Sequence, residues 1–196
     1  MTLFRLSAKR REAISMEFVI LGLLLLRDLT QYEVKTILER RVSPFFSASL
    51  GSIQAAFKKL EREGHVDRRE VADGGRIKKV YSITAAGRPY FFEWMLAAAD
   101  SNRLDKEVTT KLFFLGLLTL AERQAVVAAL VGKLEETVRQ FEAASAEAGR
   151  QPAPDPYAEI AKYQLKTLEL GLYHHRSMLS WFRSLLEEIE GEARRV

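Results

Sequence analysis

The sequence predicts a mainly α-helical protein with an α+β N-terminal part. Most of the chain repeats apolar residues every three or four positions, which is the spacing of amphipathic helices. A single pair of strand-like runs meets at the turn signal Asp73-Gly74-Gly75. Beyond Asp100-Ser101-Asn102 the helical spacing continues without a strand signal. We therefore predict a basic N-terminal arm at 1–15, a first, α+β domain at 16–99 and a helical domain at 100–196.

Composition limits the classes of protein to which this chain can belong. With 47% hydrophobic and 29% charged residues among 196, it can bury a core as one large or two small domains. The absence of cysteine excludes disulfides, thiolate metal sites and cysteine nucleophiles. The longest apolar run, Phe18 to Leu26, is far shorter than the roughly 20 residues that cross a bilayer. We therefore expect no membrane span.

Histidine supplies the remaining candidates for catalysis or metal binding. The histidines are His65, His174 and His175, and the last two are adjacent on a predicted helix, so they point in different directions. Neither the ligand spacing of a metal site nor a nucleophile with its base surrounds them. We therefore expect no enzyme activity, no metal and no cofactor.

Positive charge is concentrated in the first half of the chain. Residues 1–99 contain 17 Lys and Arg against 11 Asp and Glu, whereas residues 100–196 contain 13 against 15. Part of the excess lies in the arm, at Lys9, Arg10 and Arg11. The arm is consistent with a transit peptide, an amphipathic surface anchor, a partly disordered segment or an early helix, and Met16 is an alternative start. The asymmetry indicates nucleic-acid binding only if the cations share one surface.

The first two predicted helices supply the core of the α+β domain. Met16 to Asp28 is apolar on most sides, which is typical of a buried helix. Gln31 to Arg41 places Tyr32 and Val34 in an apolar stripe and leaves its charged residues for solvent. Ser43-Pro44 ends this second helix, because proline disfavours helical geometry in the residue before it.

The third helix, from Ser49 to Glu63, has two contrasting sides. One side is apolar and is predicted to face the core. The other has small residues near its N-terminal end, which permit close approach, and cations further along, which can meet phosphates. The core side consists of Leu50, Ile53, Phe57 and Leu60, and the opposite side of Gly51, Ala55, Lys58 and Arg62, flanked by Ser52, Gln54 and Lys59.

A cationic hairpin follows the third helix. Gly64 suits the C-terminus of the helix, and Val66 to Val71 and Arg76 to Ile83 are typical of strands. Taken alone, the hairpin is equally consistent with an ordinary solvated ribbon. Directly after a cationic helix, it favours DNA binding. Its cations are Arg68, Arg69, Arg76, Lys78 and Lys79.

The chain beyond the hairpin is predicted to be helical throughout. A fourth helix from Ala85 to Ala99, capped by Thr84, contains Pro89, which predicts a kink or a late start. A helix from Lys106 to Leu118 follows. The next begins at Thr119-Leu120-Ala121-Glu122, which has the spacing of a capping box, and continues to about Ala148.

The last predicted helix, from Tyr157 to Glu190, carries a coiled-coil-like seam with alternating spacings of three and four residues. The seam can pack against the preceding helix of its own chain. Two long helices in a small domain nevertheless leave apolar surface that a second subunit would cover, so we favour a homodimer. His175 either fixes the helix register or lies at the edge of the seam. The seam consists of Leu165, Leu168, Leu172, His175, Leu179, Phe182, Leu186 and Ile189.

These segments together resemble the PadR-type winged-helix transcriptional regulators. The resemblance rests on Ser49-Leu50-Gly51-Ser52-Ile53 opening the third helix and Lys58-Lys59-Leu60-Glu61-Arg62-Glu63-Gly64-His65-Val66 closing it. It also rests on Val80-Tyr81-Ser82-Ile83-Thr84-Ala85-Ala86-Gly87 after the hairpin. Residues 103–190 are similar to the helical C-terminal domain of the subgroup related to virulence-gene activators.

The resemblance implies a cytoplasmic bacterial regulator, with repression as the expected mode. Such a protein dimerises through its C-terminal helices and places two third helices in successive major grooves of a palindromic double-stranded DNA operator. This chain departs from the family pattern at Gln31, usually glycine, and at Gln54, usually tyrosine, so we expect an altered operator preference. The predicted contacts are Ser52, Gln54 and Ala55 with base edges, and Lys58, Lys59, Arg62, Arg76, Lys78 and Lys79 with phosphates.

A second hypothesis adds control of DNA binding by a small molecule, which would be a further partner. In this hypothesis Trp94, Trp181, Phe113 and Phe114 line an aromatic pocket between domains or between subunits. The alternative is that these side chains are ordinary core, because aromatic residues at helical spacing usually pack inside.

Overall fold

A computed structural model describes residues 16–42, 49–100, 104–150 and 156–195. The predicted arm at 1–15 and the predicted helix break at Ser43-Pro44 lie outside the described residues. Contacts divide the chain into two units, of which the first extends to Ala97 and also includes Leu104–Leu115. The domain boundary predicted after residue 99 placed Leu104–Leu115 with the helical domain, whereas its contacts group it with the first unit.

The first unit combines helices with a small antiparallel sheet, so the predicted mainly α-helical fold class with an α+β first part is confirmed. A π-helical turn, Leu38–Val42, extends the second helix. The elements are α1 at residues 16–26, β1 Leu29–Thr30, α2 Gln31–Ile37, α3 Leu50–Arg62, β2 Val66–Asp73, β3 Arg76–Ile83, α4 Gly87–Leu96 and α5 Leu104–Phe113.

The sheet has the strand order β1-β3-β2, with both pairings antiparallel. Gly74 and Gly75, between β2 and β3, have φ values of 56° and 80°. This two-residue connection with positive φ at both positions suits the right-handed twist of a hairpin and favours glycine. The predicted hairpin is confirmed, with β2 extending two residues beyond Val71 to Asp73.

Local signals define both ends of α3. The backbone N–H of Ser52 donates to the Ser49 hydroxyl at 3.1 Å, which caps the N-terminus. At the C-terminus Gly64 adopts a φ of 74°, while its N–H bonds to the Glu61 carbonyl and the N–H of His65 bonds to the Leu60 carbonyl. These are the two bonds of a Schellman motif. The predicted helix is therefore confirmed to within one residue at each end.

The core side of α3 agrees with the prediction at Ile53, Phe57 and Leu60, which are fully buried. The ring of Phe57 lies 4.2 Å from that of Tyr81 on β3, which fixes the helix against the sheet. Leu50 was predicted to face the core but is 41% exposed. The prediction was wrong at this position, which is the first residue of α3.

The fourth helix starts late, as Pro89 predicted. It begins at Gly87, and the Thr84 hydroxyl accepts a bond from the Gly87 N–H at 2.9 Å. The same hydroxyl donates to the Gly64 carbonyl at 2.7 Å, which ties the start of α4 to the end of α3. A Cβ at Gly87 would collide with the carbonyl oxygen of His65, so only glycine permits this close approach.

The end of α5 joins the first unit through aromatic packing. Phe114 is buried, and its ring lies 5.6 Å from that of Phe91 in an edge-to-face arrangement. The ring also occupies the space that a Cβ would take at Gly22 on α1. A glycine in an apolar helix thus provides the cavity for Phe114, which explains why α5 groups with the N-terminal residues.

The second unit contains two long helices, α6 Leu120–Arg150 and α7 Ala158–Ala193, preceded by a 3-10 turn, Leu115–Leu117. The predicted capping box is confirmed, since the Thr119 N–H donates to Glu122 at 2.8 Å and the Glu122 N–H donates to Thr119 at 3.4 Å. No helix of the described segments is both long enough and apolar enough to cross a membrane.

The two long helices pack side by side in antiparallel directions. Arg176 pairs with Glu142 at 2.6 Å and Arg183 pairs with Glu135 at 2.7 Å, so residue numbers rise on α7 as they fall on α6. A Cβ at Gly171 would collide with the ring of Phe141, so the helices approach closely at that point. Among the seam positions Leu179, Phe182 and Ile189 are buried, and the others are half-buried.

Candidate nucleic-acid interface

One face of α3 is open to solvent along its whole length. Gly51, Ala55, Lys58 and Arg62 are exposed, as the sequence predicted. Successive members are three or four residues apart and therefore form a single strip on the helix. Among the described residues outside the helix's own backbone and the two neighbours of Gly51, the Ser49 hydroxyl, 3.8 Å away, is the group nearest to a Cβ built at Gly51. We call these four residues the α3 strip.

Polar side chains flank the N-terminal half of the α3 strip. Gln54 is exposed on one side and Ser52 on the other. The Ser52 hydroxyl donates to the Ser49 carbonyl at 2.8 Å, so it retains acceptor capacity while its proton is engaged. Glutamine can offer both a donor and an acceptor to adenine in a major groove. Of these two, Gln54 has the stronger capacity for base readout.

Lys59 was predicted to extend into solvent, but its side chain turns towards α1. Its Nζ lies 2.6 Å from Oε2 of Glu17 on α1, and its side chain is only 26% exposed. Glu17 is fully buried. Burial raises the pKa of the Glu17 carboxyl, and the hydrogen bond and charge of Lys59 act in the opposite direction. In this arrangement Lys59 compensates a buried carboxylate instead of offering its charge to a ligand.

Two of the hairpin cations are engaged within the first unit. Arg69 pairs with Asp28 at 2.7 Å and Arg68 with Glu61 at 3.4 Å. Lys78 and Lys79 are exposed. The side chain of Arg76 lies outside the described part, so its predicted phosphate contact stays a prediction. The hairpin therefore combines exposed lysines with arginines that attach it to its neighbours.

Arg62 completes the basic end of the α3 strip. It is exposed, and its guanidinium lies 3.5 Å from the carboxylate of Glu63, in a weak surface pair. Lys58, one turn earlier, forms no ion pair in the described segments of the chain. Small residues at one end of the strip and cations at the other match a helix that contacts base edges and phosphates together.

Two large exposed side chains of the first unit were not predicted as contacts. Tyr32 was placed in the apolar stripe of the second helix but is 73% exposed at the start of α2. Ile77 is exposed on β3, next to the hairpin turn. The Thr30–Glu33 capping box could have corrected the first error, since it marks Tyr32 as lying in the first turn of its helix.

Aromatic side chains of the first unit are mostly core. Trp94 stacks on Phe18 with ring centres 4.3 Å apart, and Phe114 is buried. Phe113 is exposed in part and lines a cleft of about 320 Å³. In the second unit Trp181 is exposed on α7. The predicted pocket between domains or subunits stays a prediction, while Phe113 borders an open space within the first unit. The cleft is lined by Leu23, Leu26, Arg27, Leu29, Thr36, Ile37, Arg40 and Phe113.

A buried lysine stabilises the turn after α4. Lys111 on α5 is almost fully buried, and its ammonium donates to the carbonyl oxygen of Ala97. The ammonium also lies 5.4 Å from the centre of the Trp94 ring, within range of a cation–π interaction. Burial lowers the pKa of Lys111, and the negative charge of Glu107 opposes that shift. These contacts are internal to the first unit and lie apart from the α3 strip.

Two of the histidines, His65 and His175, lie against aromatic rings. His65 stacks on Tyr90 with ring centres 4.0 Å apart and planes within 3°. His175 is half-buried and lies 5.0 Å from the ring of Phe141 on α6. The predicted role of His175 in fixing the helix register stays a prediction, and its described ring contacts are with Phe141 and His174.

Comparison with known proteins gives matches over both halves of the chain. A family model described as "Transcriptional regulator PadR-like family" matches residues 20–93, and one described as "Virulence activator alpha C-term" matches residues 106–190. A curated relative, the negative transcriptional regulator PadR of Bacillus subtilis, is 27% identical over 188 residues. The match covers 89% of this chain and 97% of the relative.

Solved structures of PadR from Bacillus subtilis are also similar to this chain. The complex with operator DNA has a TM-score of 0.40 and 22% identity, and the match covers 88% of this chain and 98% of that one. The complex with p-coumaric acid has a TM-score of 0.38 and 20% identity, with coverage of 91% and 97%.

Proposed function

The chain belongs to the PadR-like family of transcriptional regulators, as the resemblance predicted, and on this premise we propose that it is a homodimeric, sequence-specific DNA-binding repressor. The observation that carries the proposal is the α3 strip, which presents small residues ahead of Lys58 and Arg62 on one exposed helix face and is flanked by Gln54. The name of the curated relative, a negative regulator, supports repression. Transcription in a bacterium would place this activity in the cytoplasm.

In the proposed complex α3 lies in the major groove. Ser52, Gln54 and Ala55 face base edges, while Lys58 and Arg62 meet phosphates further along the groove. Lys78, Lys79 and Arg76 on the hairpin would contact the backbone on the flanking side. Lys59 is left out of this set, because its ammonium is paired with Glu17.

The dimer is proposed to form through the outward face of α7. The predicted seam, of which Leu179, Phe182 and Ile189 are buried, would support the dimer by holding α7 in place. Apolar side chains away from the seam remain exposed, and three of them are aromatic, which is typical of residues at protein interfaces. They are Ile160, Tyr163, Leu170, Tyr173 and Trp181.

Selection of bound fragments from random and genomic DNA tests the proposed function. The expected result is an enriched palindrome whose half-sites are centred about one helical turn, or about 34 Å, apart. Lys58→Gln should lower the slope of log affinity against log salt by about 0.9 per subunit, because each phosphate contact releases counterions. Absence of any enriched site, or binding with a slope that Lys58→Gln leaves unchanged, would contradict the proposal.

A second candidate function, control by a small molecule, is favoured by the cleft beside Phe113. Its volume of about 320 Å³ is near the lower limit for ligand pockets. Leucine, isoleucine and phenylalanine form most of its wall, and Arg27 and Arg40 are at its margin. This combination suits a small apolar anion. DNA release by such compounds that is lost in Phe113→Ala would support this function, and release unaffected by the substitution would exclude this cleft.

A further inference from the structure

Two adjacent lysines on α3 have different surroundings. Lys58 lies in the α3 strip and is exposed, whereas Lys59 lies at the edge of the strip, about 100° further around the helix. Ser52, two turns before Lys59 on the same flank, is exposed. Because Lys59 lies on the same exposed flank of α3, its side chain is long enough to reach solvent. The contact that draws it inward is Glu17.

Glu17 is an unusual partner, because it has no exposure to solvent of its own. Its Oε2 accepts a hydrogen bond of 2.6 Å from the Lys59 ammonium, and its Oε1 has no hydrogen-bond partner among the described residues. The charge of Lys59 is thus the main compensation for the carboxylate, while Lys59 itself keeps part of its surface in water. Losing Lys59 leaves a buried charge, whereas losing Glu17 releases a lysine that can turn outward.

We propose that Glu17 is a positioning residue that withholds Lys59 from DNA phosphates, so that each subunit binds with one phosphate contact fewer than the sequence of α3 offers. The inference rests on the proposed DNA binding. It explains why only one of the two adjacent lysines of α3, Lys58, is available to a phosphate.

The charge on Glu17 determines whether Lys59 is held. Other ionisable groups near the carboxyl are Arg62 and Glu63 on α3 and Tyr90 on α4. A proton on Glu17 removes the charge that attracts Lys59 and frees its ammonium for a phosphate. Phosphate contacts should therefore increase in number as the pH falls through the titration of Glu17.

The test measures the salt dependence of binding to a selected operator, or to any duplex of sufficient length. Glu17→Gln should steepen the slope of log affinity against log salt by about 0.9 per subunit, since one further phosphate is neutralised. Lys59→Gln alone should leave the slope unchanged, and Glu17→Gln with Lys59→Gln should restore the wild-type slope. Glu17→Met, which keeps the volume and removes the acceptor, should behave like Glu17→Gln.

The matched control is Lys58→Gln, one residue away, which should flatten the slope. Flattening by Lys58→Gln together with an unchanged slope in Glu17→Gln and Glu17→Met would overturn the inference and leave the proposed function intact. A slope lowered by Lys59→Gln as much as by Lys58→Gln would do the same. Failure of the wild-type protein to bind DNA would overturn the proposed function itself.

A pH series separates positioning from a merely structural role. The wild-type slope should steepen as the pH falls, while that of Glu17→Gln should be constant over the same range. Parallel profiles for the two proteins would contradict the inference.

Circular dichroism and sedimentation of each variant establish that folded dimers are compared. If Lys59→Gln does not fold, Lys59→Met in the Glu17→Gln background supplies the same comparison, because no buried carboxylate remains.

Discussion

The Nε2 atom of Gln31 donates a hydrogen bond of 3.0 Å to the hydroxyl of Tyr81 and so joins the start of α2 to β3. Tyr81 is buried, which raises the pKa of its hydroxyl, and its ring packs on Phe57 of α3. Gln31 stands where the related family usually has glycine. Glutamine at this position therefore adds a bond between α2 and β3, the strand against which Phe57 of α3 packs.

Removing that bond should destabilise the first unit. We expect Gln31→Gly and Tyr81→Phe each to lower the free energy of unfolding by about 1 kcal/mol. In a double-mutant cycle the two changes should be coupled by a similar amount, because each removes the same bond. Urea unfolding of the four proteins provides the measurement. Strict additivity would mean that the bond contributes nothing in solution.

Gln54 should determine sequence preference more than affinity. Gln54→Ala is expected to reduce discrimination at one base pair of each half-site by about 1–3 kcal/mol, since it removes an amide that can pair with adenine. The measurement is binding to a panel of operators with single base changes. Lys58→Gln is the control and should weaken binding to all of them alike. Equal weakening by both variants across the panel would show that Gln54 does not read a base.

The outward face of α7 should hold the dimer together. Leu170 is 68% exposed, so Leu170→Glu should leave the α6–α7 pair folded. It should raise the dimer dissociation constant at least about tenfold, because a charge is placed in an apolar contact. Sedimentation equilibrium measures the constant. Leu179 is buried, and Leu179→Glu should unfold the second unit instead. A Leu170→Glu protein with the wild-type dimer constant would place the interface elsewhere.

Two helical glycines should respond in opposite ways to alanine. Gly171→Ala brings a Cβ into the Phe141 ring, so we expect a loss of about 1–3 kcal/mol of stability from overpacking. An added Cβ at Gly132 on α6 would meet no described side chain within 4 Å, and Gly132→Ala should gain up to about 1 kcal/mol from helix propensity. Thermal unfolding of both variants distinguishes the effects. Stabilisation by Gly171→Ala would show that the helices are not closely packed there.

The capping box of α2 should contribute stability that is lost in acid. The Thr30 backbone N–H, 2.8 Å from Oε2, lowers the pKa of Glu33 from its ordinary 4.5, and Arg27 at 3.0 Å assists. Because the folded-state pKa is the lower one, the contribution is present above 4.5 and disappears as the pH falls through the lowered value. Glu33→Gln should therefore be less stable than wild type at pH 7, with a difference that shrinks towards pH 3.

The contribution of Glu17 to stability should depend on pH in the opposite direction, and the same experiment measures it. Burial raises its folded-state pKa, so its contribution is greatest in acid and is lost as the pH rises from 4.5 through the raised value. Glu17→Gln should gain stability relative to wild type with rising pH. Unfolding by urea at intervals from pH 3 to pH 8 measures both variants. If the stability of both variants relative to wild type changed with pH in the same way, the lowered pKa of Glu33 and the raised pKa of Glu17 would be contradicted together.

The sequence alone determined the features that depend on neighbouring residues. Ser49 and Gly64 mark the ends of α3, Gly74 and Gly75 form the hairpin turn, and Thr119 begins α6 with a capping box. In each case the physical cause, a side-chain cap or a positive φ, lies within a few residues of its effect. The family resemblance likewise rested on short contiguous segments.

Tertiary structure decided what depends on distant partners. Lys58 and Lys59 are chemically identical, and the pairing of Lys59 with a carboxylate 42 residues away depends on the tertiary structure. The seam of α7 was visible from its spacing, but whether it faces α6 or a second subunit depends on which surface is nearer in space. Burial and ion pairing are set by approach in three dimensions, and the periodicity of a single helix does not contain that information.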